Sequence, residues 1–166
     1  MKTTKSFIGN LCLLQLMFMA ICACGNVKSN SQDTTQATAN AAEEAKEQGT
    51  VFYKISLEEA LEKAKTEGKF VLIDFHTKTC GPCRKMEKEV FPNPICGEFV
   101  NKHFVPIMID GEDGGRGQEI AKGQKIFIYP TYAVLQSDGF KEGEIMGAEY
   151  DVNKFLDMLK SIIKVE

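Results

Sequence analysis

The segment Phe70-Val71-Leu72-Ile73-Asp74-Phe75 constrains this chain more than any other, because it is apolar on both faces of a strand and has to lie inside a sheet covered on each side. After four residues it reaches Cys80-Gly81-Pro82-Cys83, where a helical pattern begins with Arg84-Lys85-Met86. Two cysteines two residues apart at a helix N-terminus are placed for disulfide exchange. The unpaired N–H groups and positive dipole end of the helix stabilise a thiolate at the first cysteine, and the second is near enough to close a small-ring disulfide with it. The same pair could also serve a zinc site if Cys96 and His103 supplied the other two ligands, which would put Pro82 in a zinc knuckle and make the strand-helix setting accidental. Arg84 directly after Cys83 excludes a c-type haem attachment.

The neighbouring patterns build an α/β domain around that strand. Val51 to Ile55 reads as a short strand or extended lead-in. Ser56 with Glu59 forms a capping box, and Leu57, Ala60, Leu61 and Ala64 share one helix face until Gly68. The helix after Cys80 runs through Met86 and Val90 until Pro92-Asn93-Pro94 stops or kinks it, and a shorter one fits Ile95 to Asn101. Phe104 to Asp110 is a second apolar strand, followed by a Gly-rich acidic loop over Gly111 to Gly117 and a weak helix at Gln118 to Lys122. The loop lacks the regular acid spacing of a calcium site. Thr131 to Leu135 and Lys141 to Met146 flank the turn Ser137-Asp138-Gly139, and Asp151 caps a last helix striped by Val152, Phe155, Leu156, Leu159 and Ile162 or Ile163. One mixed sheet with helices on both faces follows from that order.

The first fifty residues do not share this character. Lys2 and Lys5 precede an apolar run from Leu11 to Ala23, broken only by Gln15 and too short for the roughly 20 residues that span a bilayer, so it reads as a secretory signal. Ile21-Cys22-Ala23-Cys24 resembles a bacterial lipobox, which implies a lipoprotein signal peptide over residues 1–23 and lipid on Cys24; ordinary cleavage after Ala23 is the alternative. Residues 24–50 are polar, without an aromatic, and read as a flexible tether, leaving residues 51–166 for the domain. Loss of the leader leaves a net charge of about −5, which attracts neither nucleic acid nor anionic lipid. Cys80, Cys83 and Cys96 are too few for a disulfide framework, so chemistry explains the pair better.

Over roughly residues 52 to 164 the domain resembles thioredoxin. The motifs are Asp74-Phe75 before the cysteines, Cys80-Gly81-Pro82-Cys83, Tyr129-Pro130-Thr131, and Gly147-Ala148 before the last helix. With the lipobox, the chain is similar to envelope-anchored bacterial thioredoxin-like proteins of the thioredoxin P type. The resemblance implies a thioredoxin fold and a periplasmic, lipid-anchored, monomeric thiol:disulfide oxidoreductase. It needs no metal and no cofactor beyond its own Cys80–Cys83 disulfide, and its partners are disulfide-containing envelope proteins and a membrane electron donor or acceptor. The same site could serve an oxidase or isomerase. A different class of reading is a lipoprotein that binds a partner without turnover, although a binding module has no reason to keep both thiols.

The resemblance also distributes roles. Cys80 is the attacking thiolate and Cys83 resolves the mixed disulfide. Pro130 is a cis-proline facing the pair and turns the backbone of Tyr129 outward for a substrate strand, while Gly81, Pro82 and Gly147 complete the substrate surface. Asp74, costly to bury unpaired, has a raised pKa and accepts the proton of Cys83; otherwise it is an edge acid that reaches solvent or an ion pair. The chain departs from the pattern at Thr79 and His76, where tryptophans usually stand, and near Pro106, where a lysine usually pairs with the buried acid. His76 either tunes the site or packs, and Cys96 is read as a small buried apolar side chain.

Overall fold

The computed structural model describes residues 48–165, so the leader, Cys24 and most of the tether lie outside the described residues. Its elements are α1 (Leu57–Glu67), β1 (Phe70–His76), α2 (Gly81–Glu89), α3 (Pro94–His103), β2 (Phe104–Asp110), α4 (Arg116–Gly123), β3 (Thr131–Leu135), β4 (Lys141–Met146) and α5 (Val152–Ile163). The local signals act as expected. The Ser56 hydroxyl and Glu59 carboxylate form a reciprocal capping box on α1, Gly68 ends it at φ 64°, and Asp151 accepts from the Asn153 and Lys154 N–H groups at the start of α5.

The strands lie in the order β2-β1-β3-β4. β1 pairs parallel with β2 and antiparallel with β3, which pairs antiparallel with β4. β1 is therefore central, which explains why its interior residues are all buried. Its alternate residues feed two cores. Val71, Ile73 and Phe75 pack with Ala60 and Ala64 of α1 and Ala121 of α4, whereas Leu72 packs with Met86 of α2, its C-cap Val90, Val100 of α3, and Phe155 and Leu159 of α5. Asp74 shares the parity of Leu72, so it faces the helices that carry the cysteines rather than α1 and α4.

The lead-in takes the extended form, and one boundary differs from the sequence reading. The lead-in makes only a single parallel bridge, Tyr53 to Ile107, with the Tyr53 N–H donating to Pro106 O at 2.8 Å. Gly49 and Thr50, polar enough to be assigned to the tether, are held by the domain. The Thr50 N–H donates to Phe91 O at 2.7 Å, and Asn101 Nδ2 donates to Gly49 O at 3.1 Å. A Cβ on Gly97 would meet Gln48 O at 2.1 Å, so the missing side chain in α3 is what lets this segment dock. Composition cannot register such a backbone contact.

Candidate active site

The disulfide site is built at the end of the sheet where β1 finishes. Cys80 is the N-cap of α2 and is partly exposed, whereas Cys83 lies a turn inward and is 1% exposed. The two are joined by a disulfide, S–S 1.99 Å, and Cys80 Sγ accepts the Cys83 N–H at 3.1 Å. Pro82 sits in the first turn of α2, where its missing N–H costs nothing, and Gly81 and Pro82 are both exposed. The Cys80 N–H donates to Thr77 O at 3.2 Å, and Arg84 Nη1 donates to Lys78 O at 2.9 Å, which fixes the loop between β1 and α2.

Register brings the distant motifs to this end. Phe75 pairs with Thr131, and Thr131 with Met146, so Pro130 and Gly147 lie just beyond the same sheet edge that leads to Cys80. The Tyr129-Pro130 peptide is cis, and Gly147, at φ 86°, donates its N–H to Pro130 O at 2.8 Å. The side chain of Tyr129 turns away, its hydroxyl donating to Gly111 O at 3.2 Å. Its backbone immediately precedes Pro130 and the first ladder residue of β3, Thr131. Phe127 and Ile128, which the sequence reading missed, are 76% and 57% exposed immediately before it. Nothing in their apolar character distinguished them from core residues.

Asp74 is 1% exposed, and neither of its carboxylate oxygens has a hydrogen-bond partner among the described residues. The edge-acid alternative is therefore not what the fold contains. Burial, reinforced by the nearby charge of Glu87, pushes its pKa up to about 8. Leu72 pairs with Pro106 and Asp74 with Met108, so β2 brings no cation to the carboxyl. Glu87 is a second influence the sequence reading missed, visible only as helix periodicity from Cys83.

The remaining candidates lie elsewhere. Cys96 is buried in α3, 3.6 Å from the Thr50 hydroxyl, and burial pushes its pKa up to about 11 against the opposing effect of that hydroxyl. His103 ends α3 against the ring of Phe99, at the opposite end of the sheet from the disulfide. Among the described residues no group of three or more His, Cys, Asp or Glu side chains is placed to hold a metal ion. His76 is half-buried, with its carbonyl accepting the Gly111 N–H at 2.9 Å.

Comparison with known proteins agrees with this construction. Residues 52–137 match the family model described as thioredoxin-like. The chain is 32% identical over 112 residues to thioredoxin H2-1 of Oryza sativa subsp. japonica, covering 67% of this chain and 75% of the relative. It is 29% identical over 108 residues to the thiol:disulfide interchange protein DsbD of Pseudomonas fluorescens, covering 64% of this chain and 18% of that protein. Among solved structures, a candidate disulphide-isomerase from Bacteroides thetaiotaomicron superposes with TM-score 0.63 at 34% identity, over 72% of this chain and 97% of that one. A disulfide at a helix N-cap, a cis-proline toward the same end of the sheet and a buried acid on the central strand thus accompany family-level similarity across the domain, and the chain belongs to the thioredoxin-like family as a thiol–disulfide oxidoreductase.

Proposed function

We propose that this chain reduces or exchanges disulfides in bacterial envelope proteins, tethered in the periplasm by lipid on Cys24. The observation that carries the redox reading is the asymmetry of the pair: Cys80 reaches solvent at the helix cap, whereas Cys83 is buried in α2, the helix that packs on the sheet face to which Asp74 belongs. In the reduced protein, Cys80 thiolate attacks a client disulfide and one client thiolate leaves. Cys83 passes its proton to the Asp74 carboxylate and attacks the Cys80 sulfur, which re-forms the Cys80–Cys83 disulfide and releases the second client thiolate. The client segment pairs with the Tyr129 backbone beside Pro130, Gly81-Pro82 and Gly147. A dithiol reductant or a membrane electron donor restores the starting state.

The Gly-Pro between the cysteines supports the reducing direction, with a potential of about −270 mV, the thioredoxin value. The likeness to a candidate disulphide-isomerase supports the second reading, exchange or oxidation at a higher potential. Equilibration of the pair against glutathione, together with insulin reduction in dithiothreitol, tests both. A potential near −180 mV would assign exchange instead. No acceleration of insulin reduction over dithiothreitol alone would overturn the catalytic reading.

The location rests on the sequence of residues 1–24. Expressed with its leader in a Gram-negative host, the protein is expected in the membrane fraction, and Cys24→Ala is expected to release it. Membrane retention of that variant would exclude Cys24 as the anchor.

A further inference from the structure

Asp74 and Tyr132 are direct cross-strand partners on β1 and β3, so their side chains leave the same face of the sheet. Tyr132 is 0% exposed, its ring packed edge-on against Phe155 at 5.1 Å and Phe91 at 5.8 Å. Its hydroxyl and the two Asp74 oxygens are the three buried side-chain oxygens or nitrogens without a hydrogen-bond partner among the described residues. Orphaned buried polar groups are rare and costly, and two on directly opposed residues form a single unexplained feature. On its other flank Asp74 has Met108, which offers no hydrogen.

We propose that Tyr132 is a positioning residue for Asp74, its hydroxyl donating a hydrogen bond, directly or through one water, to the carboxylate when Asp74 is ionised. The position near Pro106 from which a lysine would support the acid holds no cation, and a neutral donor on the opposite strand takes over that support. This rests on the reading that Asp74 accepts the Cys83 proton. As Cys83 S–H gives its proton to the Asp74 carboxylate and the resulting thiolate attacks Cys80, Tyr132 stays neutral. Its hydrogen bond favours the ionised acid that can accept the proton. Other titratable groups act on the pair: Glu87 from α2, Cys96 from α3, and Tyr150 from the β4–α5 connection, with Lys85 Nζ 4.0 Å from the centre of the Tyr150 ring. Glu87 opposes ionisation of Asp74, which makes a donor more necessary. Burial, followed by the Asp74 charge, raises the Tyr132 pKa and keeps it a donor at every working pH.

The test is Tyr132→Phe, which removes one oxygen and leaves the ring, with thermal unfolding as the check on folding. In the oxidised protein, the Asp74 carboxyl carbon followed by NMR is expected to titrate about one pH unit higher in the variant. In the reduced protein, resolution of a preformed mixed disulfide is expected to slow about tenfold at pH 7 and to recover as pH rises, with no such effect in an Asp74→Asn background. An unchanged Asp74 midpoint would overturn the proposal. An altered midpoint with an unchanged resolution rate would retain the Tyr132–Asp74 bond but overturn the proton-transfer reading beneath it. Should the variant fail to fold, the Tyr132 ring carbon bearing the hydroxyl is followed in the wild type. It is expected to shift with the Asp74 midpoint, and no shift would overturn the proposal.

Discussion

Asp74→Asn in the oxidised protein is expected to remove most of the dependence of stability on pH between 5 and 9. The folded pKa of Asp74 is raised from 3.8 to about 8, so across that interval the native state holds a proton that the unfolded chain has already released. Stability therefore falls as pH rises, and the penalty is complete only above the folded pKa. At 1.36 kcal/mol per pH unit the Asp74 contribution lost between pH 5 and pH 9 is on the order of 4 kcal/mol. Asparagine has no proton to lose, so denaturant unfolding should show the variant close to wild type at pH 5 and more stable by a few kcal/mol at pH 9. A flat wild-type profile would mean that the carboxyl finds solvent or a partner. On the proposed mechanism the same substitution slows mixed-disulfide resolution at neutral pH by a factor of ten or more, in line with loss of a general base.

The second large effect separates the two cysteines. Cys80→Ser is expected to return insulin reduction to the dithiothreitol background, because Cys83, the other thiol at the start of α2, is buried. Cys83→Ser should still attack but stall, accumulating mixed disulfides that appear on a non-reducing gel. A cysteine of pKa about 8.5 is about 3% thiolate at pH 7 and one of pKa about 7 is half ionised; after the lower nucleophilicity of the more acidic thiol is counted, ionisation gains only a few-fold. The rest of the advantage comes from holding Cys83 beside the mixed disulfide, where its attack is intramolecular. Equal activity of Cys83→Ser and wild type through repeated turnovers would contradict this division of labour.

The elements were legible because their causes are local. The Ser56–Glu59 box, Pro94, the Asp138-Gly139 turn and Asp151 each act within a few residues, and the observed helices and strands begin or end close to them. The docking of Gly49 and Thr50 was not legible, because it depends on the open side of Gly97 and on the carbonyl of Phe91 between α2 and α3. Phe127 and Ile128 show the same limit: hydrophobicity says that a side chain prefers burial, whereas only packing decides which ones are left outside.

By itself the sequence determined the chemistry available: a cysteine pair at a helix start, one acid in an apolar strand, and a proline after Tyr129. Those depend on residue type and near spacing. Tertiary structure alone decided what surrounds them. Pairing β1 between β2 and β3 sets Asp74 between Met108 and Tyr132, and buries it on the face covered by α2. The physical reason is that register and strand order are set by which apolar faces pack together, and the environment of a buried charge is a property of that packing.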